Sequence, residues 1–339
     1  MKKRTILILL CVILVCAICA WGSIHFRKTE SSPAGSSNDT STEASGSLDV
    51  SEVTERYNSL VADYNEAAIE YNETVQSVVE ANIALDQTIA SAQSVLDSAE
   101  IPFDPQTKLN LAQAVQVASA ARMGDPAEIP LKELIAAPQD ATKAEIEEFC
   151  SQVVSMAYDV QVDMIPELLT APDYTGVTTD IQIAQSSFEQ SVKIQKQITA
   201  PTDDFVAERL PKIDTILSIA SVTTYNDPNG LLGKEGGYIG CIYFSDSRVE
   251  KEKLNLKPSE YDVITMGTIG GGAIEIYESI EDAENRNMYL ASYDNTTLDP
   301  GSHTVKGTLV IRTSSMLTME QQVELTGMII SVLTELVEE

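Results

Sequence analysis

Apolar residues recur on a seven-residue frame from Asp49 to Glu100, and no Gly or Pro interrupts the chain from Leu48 to Ile101. Val50, Tyr57, Tyr64, Tyr71, Val78, Leu85 and Ala92 share one position of the frame. Val53, Leu60, Ala67, Thr74, Ala81, Thr88 and Val95 share its partner. The pattern predicts one helix of about 50 residues, roughly 75 Å long at ~1.5 Å per residue. Val61, Ala68, Val75, Ile89 and Leu96 widen the stripe, which suits a bundle better than a two-stranded coil. Tyr-Asn repeats at 57–58, 64–65 and 71–72, and its tyrosines read as ordinary packing residues.

Three more helical patterns follow. Asp104–Met123 opens with an N-cap and a proline at the first helical position, and stops before Gly124-Asp-Pro126. Pro130 and Pro138 frame a short irregular connection. Thr142 and Glu145 resemble a capping box for a helix to about Met164, ended by Pro166. Thr178–Thr199 completes the set. Residues 49–200 are thus expected to form a four-helix antiparallel bundle.

Composition changes at Pro201. Asp203–Leu210 reads as a short helix, and Ile213–Thr224, Tyr238–Phe244, Ala273–Tyr277 and Thr304–Arg312 read as strands. Tyr238–Phe244 carries β-branched and aromatic residues on both faces. Ser279 or Glu281 opens a helix to about Ser292, and Thr318 with Gln321 caps a last one to about Val337. Residues 201–339 are expected to form a small α+β sandwich, with helices on one face of a mostly antiparallel sheet.

Before the long helix, Lys2-Lys-Arg4 precedes an apolar run from Ile6 to Trp21. As a helix, 5–26 spans about 33 Å, enough to cross a hydrocarbon core of ~30 Å. Ala20-Trp-Gly22 is a poor cleavage site, and Cys11, Cys16 and Cys19 each follow a large residue, unlike a lipoprotein cysteine. The run therefore reads as a retained single-pass signal-anchor, with residues 1–4 cytoplasmic by charge. Residues 29–47 hold no aromatic and no large aliphatic residue, and read as a disordered Ser/Thr linker. The C-terminal region is then extracellular, at the cell membrane.

Net charge is −29, divided as +2 for residues 1–48, −18 for 49–200 and −13 for 201–339. Nucleic acid and anionic lipid surfaces are poor partners for such a body, because phosphates are bound by Lys and Arg. Cys150 and Cys241, one in each half, are too few for a disulfide framework or a thiolate metal site and read as core residues.

Several phrases carry a family resemblance. They are Asn226-Asp-Pro-Asn-Gly-Leu-Leu-Gly-Lys-Glu-Gly-Gly-Tyr238, Gly271-Gly-Ala-Ile-Glu-Ile-Tyr277, Ala283-Glu-Asn-Arg-Asn-Met-Tyr-Leu-Ala291 and Gly301-Ser-His-Thr-Val-Lys-Gly-Thr308, with Ile311-Arg-Thr-Ser314 beyond. Residues 203–320 resemble a family of membrane- or lipid-anchored surface proteins of Gram-positive bacteria, some labelled Ebh-like extracellular matrix-binding proteins. The resemblance implies a location at the cell surface and carries no activity, catalytic residue or cofactor.

The chemistry-bearing motifs are weak. Asp227-x-Asn229-Gly230 begins like a calcium loop, but Tyr225 and Gly236 stand where its first and twelfth ligands belong, so an Asx-type turn is the better reading. Gly233-Lys-Glu235 lacks the P-loop pattern, and Gly267-x-x-Gly270 lacks a dinucleotide context. His303 can face Asp294 or Asp299, yet no nucleophile elbow accompanies it. Glu275 and Glu278 are a pair of the sort glycoside hydrolysis uses. Arg286 and Arg312 read as salt-bridge partners, or as specificity groups if exposed. No metal, cofactor or catalytic set is assigned. The expected function is a non-enzymatic binding module for a cell-envelope protein or glycan, with Asp227, Asn229, Tyr238 and His303 as candidate binding residues on the 226–238 loop and the 301–304 corner. The competing expectations are an envelope hydrolase using acidic residues and an extracellular input module for a separate signalling partner.

Overall fold

The computed structural model describes residues 49–337; the expected membrane span 5–26 and linker 29–47 lie outside the described residues. These residues form eight α-helices and one five-stranded antiparallel sheet, an α+β arrangement. Among them no helix is long and apolar enough to cross a membrane.

Helix α1, Val50–Leu96, runs unbroken for 47 residues, about 70 Å at the usual rise. The Asp49 carboxylate caps it by accepting from Ser51 N at 2.9 Å. The frame of Tyr57, Tyr64, Tyr71, Val78, Leu85 and Ala92 is buried. Its buried companion row is Thr54, Val61, Ala68, Val75 and Asn82. The Leu60 and Thr74 row is only half-buried.

The expected single four-helix bundle is instead two cores stacked along α1. Helix α2, Pro105–Ala121, and helix α4, Thr175–Gln197, pack against its C-terminal half around Leu85, Leu111, Ile181 and Phe188. Helix α3, Lys143–Met156, packs against its N-terminal half around Tyr57, Val61, Tyr64 and Val153. The capping box Thr142–Glu145 starts α3. The helix ends at Met156, short of the expected Met164, and two 3-10 turns follow, Ala157–Asp159 and Val162–Met164. Because α3 and α2 lie at different heights along α1, three legs rather than four run the length of this stem.

The connection marked by Pro130 and Pro138 is longer than expected. Residues 122–138 form no helix or strand and descend along α1 as a strap. Pro126, Ile129, Lys132, Ile135 and Pro138 are partly buried, while the residues between them, Ala137 apart, are exposed. Burial every third residue is the period of a polyproline II chain. The Tyr-Asn repeat explains what holds it. Asn58 Nδ2 donates to Ile135 O at 2.8 Å and its Oδ1 accepts from Ile135 N at 2.9 Å. Asn65 makes the same pair with Lys132, and Asn72 with Ile129, all at 2.8 Å. Seven helical residues rise ~10.5 Å, and three extended residues span about 9–10 Å, so the rungs stay in step.

A polar knot closes the ladder between the two cores. Asn82, fully buried, donates to Met123 O and to Asp125 Oδ1, and accepts from Tyr174 Oη at 2.7 Å. Met123 N donates to Tyr174 Oη, and Arg122 Nε bonds Asp86 at 2.9 Å. All three legs meet in this network.

The second half folds as a layered unit. Helix α5, Asp203–Arg209, precedes strand β1, Ile216–Ser221, and strand β2, Gly240–Asp246. The four-residue helix α6, Val263–Met266, leads to β3, Gly271–Ile276, and then α7, Ile280–Ala291, capped by Ser279. The expected single strand 304–312 is a hairpin, β4 His303–Lys306 and β5 Leu309–Thr313, turning at Gly307 with φ 58°. Helix α8, Met319–Thr334, begins with the Thr318–Gln321 capping box. Strand order is β1-β2-β3-β5-β4, all antiparallel.

Strands β2, β3 and β5 are buried at every residue, so both faces of the sheet are covered, not one. Val206 of α5 and Leu325, Ile329 and Leu333 of α8 pack with Ile242, Phe244, Ile274 and Ile311. On the other face, Ala283 and Leu290 of α7 pack with Tyr238, Cys241, Tyr243, Ala273 and Tyr277. Cys150 and Cys241 are both free and buried.

Stem and sheet meet through Ile198, which lies in the α5/α8 core. Thr308 N donates to Ile198 O at 3.2 Å, and Ala200 N donates to Thr308 Oγ1 at 2.6 Å. Gln197 Nε2 caps the end of α8 through Leu333 O and Glu335 O, both at 2.9 Å.

Candidate functional site

One buried ionic cluster of the second half, centred on Glu275, lies on the α7 face of the sheet. Cross-strand register sets the residues of this face in rows. Tyr243, Ala273, Arg312 and His303 form one row across β2, β3, β5 and β4, and Cys241, Glu275, Val310 and Val305 form the next.

Glu275 is the centre and is fully buried. Arg286, reaching down from α7, donates from Nε to Oε2 at 2.8 Å and from Nη2 to Oε1 at 3.0 Å. Arg312 Nη1 donates to Oε1 at 2.8 Å, and Tyr277 Oη to Oε2 at 2.9 Å. Burial alone would push this carboxyl up, but the two guanidiniums outweigh it and hold Glu275 below the usual range. Four donors saturate the carboxylate. As placed, it has no lone pair free for a substrate and no proton to give, so the Glu275–Glu278 pair does not form a hydrolytic centre; Glu278 is exposed.

Around it stand three buried tyrosines. Burial, then in turn the Asp227 bond and the Glu275 charge, raises Tyr238 and Tyr277 above the ordinary phenol range; burial leads for Tyr243 as well. Burial, reinforced by Glu275, likewise raises the Cys241 thiol. Such a thiol is a weak nucleophile.

Of the residues expected to bind, Asp227, Asn229 and Tyr238 come together, with Tyr238 buried, Asp227 half-buried and Asn229 exposed. The Asp227 carboxylate accepts from Asn229 N at 3.0 Å, from Leu232 N at 2.8 Å and from Tyr238 Oη. Partial burial opposes ionisation, yet these donors lower its pKa. Asn229 Nδ2 donates to Tyr243 Oη at 3.1 Å. This is an Asx-type turn pinned to the sheet, with the Asp227 oxygens engaged by the chain itself. His303 sits apart at the sheet edge. Its Nδ1 lies 2.7 Å from Asn287 Oδ1 and its Nε2 lies 3.1 Å from Asp294 Oδ1. Both ring nitrogens are thus engaged, by an amide and a carboxylate, and neither is left to a serine hydroxyl, so no Ser-His-Asp line is formed there.

The 301–304 corner adjoins the exposed end of α7. Met288 and Tyr289 are exposed there, and the Tyr289 and Tyr293 rings meet edge to face at 5.3 Å. The Arg286 guanidinium lies 5.4 Å from the Tyr289 ring centroid. Sequence reasoning missed this aromatic pair; its signal was the i,i+4 spacing on a helix flanked by Asp294. Among the described residues no group of His, Cys, Asp and Glu could hold a metal ion. A groove of about 290 Å³ between α2 and α4, lined by Ala114, Val117, Val177 and Ala184, has Asp180 as its one ionisable group. Comparison with family models, with curated proteins and with solved structures returns no match.

Proposed function

We propose that the chain is a single-pass, membrane-anchored surface protein whose helical stem, 49–200, holds a non-enzymatic binding module, 201–339, away from the bilayer. One observation carries this reading: the two ends of α1. Near its C-terminus, Lys196 Nζ meets Glu100 at 2.9 Å and Phe103 N meets Ser191 O at 3.0 Å, both within about two turns of Ile198, which enters the module core. Asp49, which follows the apolar run and the linker, is at the opposite end, about 70 Å away along the helix. A basic-flanked apolar segment, a linker and a stem directed in this order suit a spacer. The resemblance of residues 203–320 to anchored surface proteins of Gram-positive bacteria agrees with it.

The exposed end of α7 with the His303 corner is the surface assigned to contact a cell-envelope protein or glycan. Its aromatic rings, amide and carboxylate, set on a rigid sheet, are the groups such recognition uses. Protease added to intact cells tests the location. Digestion of the 49–339 body on whole cells is expected; protection until lysis overturns the reading.

A further inference from the structure

The α2/α4 side of the stem differs from the rest of the stem in charge. Every exposed position of α2, Pro105–Ala121, is uncharged, and its one ionisable residue, Lys108, is half-buried. In α4 the charges of Asp180 and Glu189 are offset by Lys193 and Lys196. Residues 49–200 nevertheless sum to −18, and the outer side of α1 exposes Asp63, Glu66, Glu73 and Glu80. A helix face this short of charge, in so acidic a chain, is the composition of a contact surface.

Its shape fits helices. Asn110, Gln113, Ala114 and Val117 line the groove of about 290 Å³ at the i, i+3, i+4, i+7 spacing of one helical stripe, and Val177 and Ala184 line it from α4. Ala114 and Ala184 are half-buried, and their small side chains permit close approach of another helix. Val117 is 50% exposed and Ile183 61%. The two helices run antiparallel: Phe103 N meets Ser191 O at 3.0 Å at one end, and Met123 N meets Tyr174 Oη at 2.7 Å at the other.

We propose that this face pairs with the same face of a second copy of the chain, about a twofold axis along the stem. Such an axis sets α2 of each copy antiparallel to α4 of the other, so the four helices close as an up-down bundle. Charge selects the occupant. Two chains of −29 each repel at their acidic sides and meet closely where charge is missing, with the acidic sides of α1 turned away from the axis. The surface is also self-complementary, since it offers a groove and, on the same two helices, exposed apolar side chains to fill the partner's. The axis leaves both Asp49 ends on one side, as copies anchored in one bilayer require. That shared direction alone rests on the proposed anchoring; the pairing itself does not.

The test is sedimentation equilibrium of the detergent-solubilised full-length chain over a range of protein concentrations, at the density that renders detergent invisible. A reversible monomer–dimer equilibrium is expected. Val117→Glu and Ile183→Glu, each placing a charge at an exposed position of the face, should weaken the dimer about tenfold or more. Ile69→Glu, at an exposed position of α1, should leave it unchanged. Wild-type chain that stays monomeric throughout overturns the proposal and gives the face to a different protein. A dimer indifferent to both face variants overturns it as well, because the copies then meet elsewhere. Should circular dichroism show that these variants misfold, Gln113→Glu replaces them, and an unaltered dimer constant in that variant is equally fatal.

Discussion

Asn65 and Lys132, far apart in the chain, exchange two hydrogen bonds of 2.8 Å, one to the main-chain oxygen and one from the main-chain nitrogen. A single carboxamide thus does for the strap what a neighbouring strand does in a sheet. Replacing Asn65 by Ala leaves both Lys132 groups without partners, at a cost of about 1–3 kcal/mol. Urea unfolding should show a lower midpoint with an unchanged slope, and the Lys132 amide should exchange faster with deuterium. Unaltered exchange at Lys132 would mean that the rung is not holding the strap.

Removing the charge at Glu275 leaves two guanidiniums facing each other. Glu275→Gln is expected to cost about 3–5 kcal/mol, the range for breaking a buried ion pair from one side. Thermal unfolding measures it, and a shift within the scatter of surface substitutions contradicts the assigned pairing.

The same carboxylate sets an acid limit. Glu275 titrates below its ordinary value in the folded chain, as does Asp246, whose pKa burial raises but Arg248 lowers further. The unfolded chain therefore takes up these protons first as pH falls. Their stabilisation is complete above the unfolded carboxyl values, ~3.9–4.3, and declines as pH drops through the lower folded values. The melting temperature should hold near neutrality and fall below about pH 4. A rise in melting temperature over that interval contradicts the lowered folded values of both acids.

Gly307 and Ala200 form a contrasting pair at the stem–sheet junction. Gly307 has φ 58°, and a Cβ there would lie 2.4 Å from Ile198 O. Gly307→Ala should destabilise by more than the ~1–2 kcal/mol of the left-handed conformation alone. Ala200 already bears that conformation, with φ 47°. Ala200→Gly should be neutral or raise stability by up to about 1 kcal/mol. Calorimetry of the two variants decides, and equal melting temperatures would argue against a rigid junction.

Much of this architecture was legible in local patterns. The Asp104, Thr142, Ser279 and Thr318 caps each open the helix expected of them, because a cap needs only residues within one turn. The covering of both sheet faces was implicit in Tyr238–Phe244, which has no polar side to turn toward water. The hairpin at Gly307 was hidden because alternation continues through a two-residue turn, so two strands read as one. What lay beyond the sequence was long-range pairing. The Tyr-Asn repeat was visible, but the asparagines' partners are 57 to 77 residues away. Arg286 and Arg312 were candidates for ion pairs, yet nothing local names Glu275 as the acid they share.

The matched rungs also govern how such a stem can change in size. One residue inserted into α1 between Asn58 and Asn72 turns the following asparagine about 100° away from its rung, and one residue added to the strap shifts its inward row. Growth is allowed in a joint unit of one Tyr-Asn heptad with one strap tripeptide, each adding about 10 Å. The ladder is a ruler with a built-in increment, and the length of the stem is adjustable by whole graduations.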